Sequence, residues 1–458
     1  MSGRLPPMHG LTPETEHLAR QIMDLVLTRL RQEPSPLGGV ATPEELAKAA
    51  GQSITPDGIG AAEALRRWVE VLGPATVAVD HPRYLAFIPH APTETSVFFD
   101  LLVGASAIYA GSWLEAAGAV HAENEALRWL AALAGFPPEA GGTFVPGGTL
   151  GNLSALHAAR ETALTRRNGA RPPRWQIAAS AEAHSSIAQA ARVLDMELID
   201  VPVDAYHRLT GANLAATLDA TPGAGLCAVI ASAGATNLGV IDDLAGIAAI
   251  CAERGLWFHV DGAYGLAALA APSKRAAFAG VERADSFIVD PHKWLFAPYD
   301  CCALLYRDPA LARAAHSQSG AYLEALNERM EWNPADYAVQ LSRRARGLPF
   351  WFSLAVHGSD AYTAAVEITL SVSRQAVAAI RARPYLELLV EPDLTALVFR
   401  RHGWTSADYD AWSARLFADG IAFVMPTRYA GEAAARIVIL NPRTTLADVE
   451  MVLDSLRD

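Results

Sequence analysis

Short apolar runs alternating with helical segments from about residue 140 onward predict an α/β fold on a largely parallel sheet. Three observations carry that expectation. Runs at 176–179, 197–201, 226–231, 257–260, 286–289 and 302–306 have the length and composition of buried strands. Helical segments separate several of them, notably 185–194 and 244–254, the second stopped by Gly255 as a C-cap would stop it. Finally, 458 residues that are 51% hydrophobic and 19% charged can bury a multi-layer core, which excludes a largely disordered chain. On such a sheet ligands sit beyond the carboxyl ends of the strands.

Before the sheet, residues 14–31 place Leu18, Ile22, Leu25, Val26 and Leu30 on one face of a helix. A second helix is expected over 42–50 and a third over 62–72, ending before Gly73-Pro74, with Pro34, Pro36, Gly38 and Gly39 between the first two. These helices are too few to form a domain, so their apolar faces must be buried against something else, such as a second subunit. After Gly347 a long helical region runs to Ile380 and is closed by Pro384. Strands are then expected at 395–401, 421–425 and 436–440 and helices at 406–419 and 446–456, giving a smaller α/β unit.

Charge and cysteine usage narrow the class. Lys and Arg total 37 against 49 Asp and Glu, a net −12, so nothing in the global field attracts nucleic acid or an anionic membrane. The four cysteines, two adjacent at Cys301 and Cys302, form neither a disulfide framework nor a spaced zinc motif, and a reducing, cytoplasmic setting is expected. Pro6, Pro7 and His9 interrupt the N-terminus where an export signal would be apolar, and the uncharged runs 141–159 and 220–241 are broken by Gly, Pro, Thr and Asn. A soluble protein is expected.

Four segments carry chemistry. Lys293, in Ser286-Phe-Ile-Val-Asp-Pro-His-Lys-Trp-Leu-Phe296, follows a strand and so stands at the ligand-binding end of the sheet. Among Trp294, Leu295 and Phe296 its amine is expected to have its charged form disfavoured, and a neutral amine condenses with a carbonyl; a surface loop lysine is the plain alternative. Asp261 ends the strand in Trp257-Phe-His-Val-Asp-Gly-Ala-Tyr264, where a carboxylate could hold a proton on a heteroaromatic nitrogen or simply cap a turn. His259, Asp261 and His292 could be read as metal donors, yet no spaced ligand set supports that, and no metal is expected. Phe144-Val-Pro-Gly-Gly-Thr-Leu-Gly-Asn-Leu-Ser-Ala-Leu156 is a Gly-rich turn opening a helix, where backbone N–H groups bind phosphate and Gly147 and Gly148 permit close approach. It lacks the lysine of a P-loop and the spacing of a dinucleotide fingerprint. His184, in Ala181-Glu-Ala-His-Ser-Ser186, stands just before a helix, where a lone histidine is more often structural. Together, a lysine for an aldehyde, an acid for a ring nitrogen, a phosphate turn and a flat side chain to lie against a ring describe a pyridoxal phosphate site.

With these segments the chain resembles the pyridoxal-dependent group II decarboxylases, which include the aromatic-L-amino-acid decarboxylases. The resemblance covers roughly 81–358, is tightest over 231–306, and rests above all on Asp290-Pro-His-Lys-Trp294. It implies the aspartate-aminotransferase-like fold, pyridoxal phosphate fold type I, with an N-terminal helical dimerisation segment at 1–80, a large cofactor domain at 81–358 and a small α/β domain at 359–458. It also implies an intertwined homodimer with active sites at the interface. By the same resemblance Lys293 would be the Schiff-base lysine, Asp261 the partner of the ring nitrogen, and His184 the ring that stacks on the cofactor. Ala263 would lie against the other face and Thr236 beside the cofactor, while Gly148 and Thr149 would form the phosphate turn, assisted by His292.

Departures from the family pattern concern the substrate. Asp290 stands where the family often has asparagine, and a carboxylate near phosphate would repel it unless it faces elsewhere or shares a proton. Leu150 replaces a polar residue after the turn. His90, in His81-Pro-Arg-Tyr-Leu-Ala-Phe-Ile-Pro-His90, replaces a small hydroxyl residue, and Gly111, in Tyr109-Ala-Gly-Ser-Trp113, replaces a bulky aromatic. A rebuilt substrate pocket of Phe87, Ile88, His90, Tyr109 and Gly111 is therefore expected, open to an aromatic or similarly bulky L-amino acid. Relatives supply a catalytic tyrosine from a loop before an Arg-Arg pair, matched here by Arg343-Arg344. Tyr337 and Tyr322 are the candidates, and either could be a packing aromatic. The residue that returns a proton to Cα is thus not fixed by sequence. Besides decarboxylation to the amine, an oxidative deaminase giving an aldehyde and a carbon–carbon lyase stay open; a cofactor-binding protein without turnover is disfavoured by the intact lysine, aspartate and histidine.

Overall fold

The computed structural model describes residues 8–221, 224–318 and 331–457. Its central sheet has seven strands: β1 (Gly141–Val145), β2 (Trp175–Ala179), β3 (Met196–Asp200), β4 (Leu226–Ser232), β5 (Trp257–Asp261), β6 (Ser286–Val289) and β7 (Cys302–Tyr306), in the order β1-β7-β6-β5-β4-β2-β3. Strands β2 to β6 pair in parallel, and β7 runs antiparallel to both β1 and β6. The carboxyl ends of six strands and the start of β7 therefore share one edge.

Both faces of the sheet are covered, which is why its strands read as unbroken apolar runs rather than alternating ones. Phe144, Ala178, Val229, Phe258, Phe287 and Leu305 pack with Leu127, Leu130, Leu214 and Ile247 on one side. Their sequence neighbours Val145, Ile177, Ala228, Trp257, Ile288 and Leu304 pack with Ala155, Leu156 and Ile187 on the other. The expected largely parallel α/β fold is what forms. Strand β1 was not anticipated, because Gly141-Gly142 gives it weak strand propensity.

A second, antiparallel sheet is formed by β8 (Leu386–Leu388), β9 (Ala396–Arg401), β10 (Thr427–Tyr429) and β11 (Glu432–Val438), in the order β10-β11-β9-β8. Helices Ser406–Ala418 and Leu446–Asp454 cover it through Trp412, Leu416, Val449 and Val452. The strand expected at 421–425 does not form; only Phe423 bridges, in parallel, to Tyr84. The N–H groups of Ile421 and Ala422 turn back to Leu416 O, closing the preceding helix, and Pro426 has no N–H to extend a ladder. The long helical region after Gly347 is two helices, Leu348–His357 and Ser359–Arg381, separated at Gly358 with φ 75°. The second helix joins the two cores: Tyr362, Val366 and Leu370 lie in the first, Ala376, Val377 and Ile380 in the second.

At the N-terminus, helices Pro13–Arg31, Pro43–Ala50 and Ala61–Arg67 form, the last continuing as a π-helical stretch Trp68–Leu72. Thr12 and Thr42 cap the first two by capping boxes, with proline at the first helical position. Within one chain these helices bury no residue, and Ile22, Met23, Trp68 and Val69 are 44%, 41%, 56% and 42% exposed. Among the described residues no helix is long and apolar enough to cross a membrane.

Candidate active site

The shared strand edge opens into a cleft of about 300 Å3. Five strands deliver residues to the wall at or shortly after their ends: Gly148 and Thr149 follow β1, His184 follows β2, Thr236 follows β4, Asp261 ends β5 with Ala263 behind it, and His292 and Lys293 follow β6. All eight residues expected at the cofactor line the cleft. Tyr299 and Asp300, which precede β7, complete it.

Lys293 sits in the short helix Pro291–Trp294, with its Nζ 2.8 Å from Asp290 Oδ2. Trp294, Leu295 and Phe296 are buried as expected, but they do not decide the charge of the amine. Burial disfavours the charged form, yet the Asp290 carboxylate, with help from Asp261, outweighs it and holds the lysine pKa above its ordinary value. The expectation of a neutral amine is corrected on that ground. Asp290 is the mirror case: burial alone would raise its pKa, but Lys293 and then His292 bring it below the ordinary value. His292 lies 3.7 Å away through Nε2, and burial, only partly offset by Asp290, lowers its pKa.

Asp261 accepts a hydrogen bond on each oxygen, from Asn152 Nδ2 at 2.8 Å and from the Ala263 N–H at 3.1 Å. Sequence reasoning missed Asn152. The available signal was a polar residue four after Gly148 on an otherwise apolar helix face, where burial demands partners. His184 caps helix Ser185–Val193, its Nδ1 accepting the Ser186 N–H at 3.2 Å.

These residues fit pyridoxal phosphate. No side chain caps the start of helix Gly148–Arg166, leaving the N–H groups of its first turn available to an anion. Gly148 keeps this turn open, because a Cβ would stand 3.2 Å from Ala263 Cβ and Ile288 Cδ1 and 3.3 Å from Asp290 Oδ2, a tight fit that its neighbours would have to relieve. The cleft also holds one primary amine and a buried carboxylate. Among the described residues no three His, Cys, Asp or Glu side chains are grouped to hold a metal ion.

The expected substrate residues and loop tyrosine are not brought to this wall by one chain. Phe87 is 55% exposed beside Phe423, and Ile88 packs on the core. His90 is buried behind the wall, its Nδ1 donating to His292 O at 2.6 Å and its ring 4.2 Å from Tyr299; burial lowers its pKa to about 4. The Tyr109 hydroxyl donates to Leu341 O at 3.2 Å. Packing within the chain already calls for glycine at 111: a Cβ would lie 2.5 Å from the Tyr109 hydroxyl and 2.7 Å from Leu341 O. Tyr337, expected as a proton donor, is buried in the sheet core and stacked on Trp332 at 4.2 Å, so it serves as a packing aromatic. Tyr322 lies outside the described residues. Arg343 of the Arg-Arg pair is a buried partner of Glu123, with bonds of 2.7 and 2.9 Å.

The pyridoxal-dependent decarboxylase conserved domain matches residues 63–402. The chain belongs to this family. The decarboxylase is 28% identical over 97% of its length to an aromatic-L-amino-acid decarboxylase of Bacillus atrophaeus, 95% of which is covered. It is 33% identical over 87% of its length to an L-2,4-diaminobutyrate decarboxylase of Rhizobium meliloti, with 82% of that protein covered. Its fold matches Oryza sativa TDC, solved with PLP and tryptamine, at a TM-score of 0.90 and 22% identity over 99% of each chain. It is an amino-acid decarboxylase of fold type I whose cofactor is pyridoxal phosphate.

The Lys293–Asp290 contact generates a test. The amine must shed its proton before it attacks an aldehyde, so loading of the apo-protein should quicken as pH rises. Asp290→Asn removes the charge that opposes burial and should move this profile to lower pH, followed by growth of visible absorbance after mixing with pyridoxal phosphate. An unmoved profile would exclude Asp290 as the group that sets the lysine.

Proposed function

We propose that the decarboxylase acts on a large L-amino acid, aromatic in the first reading, releasing the amine and carbon dioxide, with Lys293, Asp261 and His184 as its working groups. The observation that carries this is their convergence with an uncapped helix start on one cleft. When bound, pyridoxal phosphate supplies an aldehyde for amine exchange and a ring that accepts the electrons left at Cα. Lys293 holds the cofactor and gives way to the substrate amine, with Asp290 taking or returning its proton. Asp261, fixed by Asn152 and the Ala263 N–H, keeps a proton on the ring nitrogen. The cleft must hold the Cα–carboxylate bond perpendicular to the ring, an orientation effect of about 7 kcal/mol or more. We assign His184, on the wall, to return a proton to Cα.

The aromatic reading is supported by the Bacillus atrophaeus relative and by the Tyr299 ring at the cleft, backed by His90. Among the described residues no arginine lines the cleft to demand an acidic side chain. A second reading, a diamino acid, is favoured by the Rhizobium relative and by the Asp300 carboxylate on the wall, whose Oδ1 pairs with Arg346 at 3.3 Å and whose side chain, 43% exposed, could also meet a second ammonium. A panel of the twenty L-amino acids, L-2,4-diaminobutyrate and aromatic derivatives, with carbon dioxide, amine, aldehyde and oxygen followed together, decides. Amine from aromatic substrates without oxygen uptake is expected. Turnover confined to diaminobutyrate would select the second reading, aldehyde with ammonia and oxygen consumption would establish oxidative deamination, and cleavage without carbon dioxide would indicate a lyase.

We further propose a cytoplasmic homodimer. Unbridged, buried cysteines suit a reducing compartment, and the exposed apolar residues of the N-terminal helices suit burial against a second copy. Light scattering should report a dimer, and removal of residues 1–75 should cause aggregation; a stable, fully active monomer would contradict the assembly.

A further inference from the structure

Behind Asp261 lies a run of polar groups for which cofactor binding alone gives no reason. Trp257, His259 and Asp261 alternate along β5 and so face the same way, toward helix Gly148–Arg166. Ser286 stands beside His259 in the parallel register of β5 and β6. Trp257, His259, Ser286 and Asn152 are each no more than 1% exposed and Ser186 is 2% exposed, so every polar atom here needs a partner inside the protein.

The partners form one line. Trp257 Nε1 is 2.9 Å from Ser286 Oγ, which is 2.8 Å from His259 Nδ1; His259 Nε2 is 2.8 Å from Asn152 Oδ1. Asn152 Nδ2 then reaches Asp261 Oδ2 at 2.8 Å and Ser186 Oγ at 2.9 Å, and Ser186 Oγ is 2.8 Å from His184 Nδ1.

The direction of the line is set at its Asp261 end, where both oxygens accept, and its first member agrees with it. An indole N–H only donates, so Ser286 Oγ accepts from Trp257 and has its own proton to give His259 Nδ1. His259 Nε2 then carries the proton and donates to Asn152 Oδ1, which leaves both amide hydrogens of Asn152 for Asp261 and Ser186. Ser186 in turn gives its hydroxyl proton to His184 Nδ1, where its backbone N–H already donates, so Nδ1 is an acceptor and the ring proton sits on Nε2. Reversing any link fails: a flipped Asn152 amide would set its oxygen against the Asp261 carboxylate, and a His259 protonated only at Nδ1 would set two acceptors together at Asn152. Burial, opposed by Asp261 and by a hydrogen bond with Ser286, lowers the His259 pKa to about 4, which agrees with a neutral ring.

We propose that Trp257, Ser286, His259 and Asn152 form a one-way hydrogen-bond chain that fixes both the orientation of Asp261 and the tautomer of His184, and so act as positioning residues for the decarboxylation. A single amide, Asn152, ties the group at the ring nitrogen to the imidazole on the cleft wall. The inference rests on the roles proposed for Asp261 and His184, but its first readout needs neither substrate nor turnover.

The test uses the full chain with 15N-labelled histidine, in which ring nitrogen shifts separate a protonated nitrogen from one bearing a lone pair. His259 is expected as a single tautomer protonated at Nε2. Ser286→Ala removes the donor at Nδ1 and leaves that lone pair unpaired in the core, so the His259 Nδ1 shift should move while Nε2 stays protonated toward Asn152, and kcat should fall about fivefold, the worth of one neutral hydrogen bond, with KM nearly unchanged. Ser286→Thr retains the hydroxyl and should restore both readouts. Should Ser286→Ala fail to fold, Ser286→Cys, whose thiol is a weaker donor, is expected to move both readouts in the same direction by a smaller amount. A wild-type His259 protonated at Nδ1, or an unchanged kcat in a folded donor-less variant, overturns the proposal. Failure of the decarboxylase reading would appear in turnover alone, whereas failure of the chain appears in the ring shifts.

Discussion

Parallel strands deliver whatever follows them to one edge, and six strands of this sheet do so together. Because both faces are packed with apolar side chains, chemistry can gather only where the strands stop. Glycine turn, histidine, aspartate and lysine, spread over nearly 150 residues of sequence, thereby become neighbours around one cleft. The reversed strand β7 adds to this rather than breaking it: its start faces the same edge, which is how Tyr299 joins the wall.

The edge concentrates charge, and its electrostatics follow from competition between burial and pairing. Lys293 would lose its proton to burial if alone, but Asp290 at 2.8 Å reverses the outcome. Deeper in, Asp261 is held by neutral donors, and the chain behind Asn152 keeps those donors pointing the right way. The cleft thus pairs its amine with one carboxylate and holds a second, Asp261, by neutral donors alone. A buried polar line of this kind contributes little net stability but excludes other arrangements of the same side chains.

Much of this was legible in sequence, for identifiable reasons. Strands β6 and β7 formed over the anticipated residues because strands buried on both faces are uninterrupted apolar runs, whichever way they pair. Strands β8 and β10 span three residues each, too few to show a period, and β1 hides behind two glycines. All eight residues expected at the cofactor reached the cleft because each stands at or shortly after the end of a strand. The substrate residues and Tyr337 did not, because spacing cannot separate an aromatic that packs from one that reacts. The charge of Lys293 was misjudged by weighing Trp294, Leu295 and Phe296, its neighbours along the chain, when the deciding partner stood three residues earlier on the same turn.

The account depends on Lys293 being the amine that meets the cofactor aldehyde, since every other assignment takes its place around that atom. Borohydride reduction of the purified holoenzyme, proteolysis and mass spectrometry test this directly. The expected result is a pyridoxyl group on the peptide containing Lys293 and on no other, with none recovered from Lys293→Ala. A label on a different lysine, or a cofactor that washes away unlinked after reduction, would contradict it.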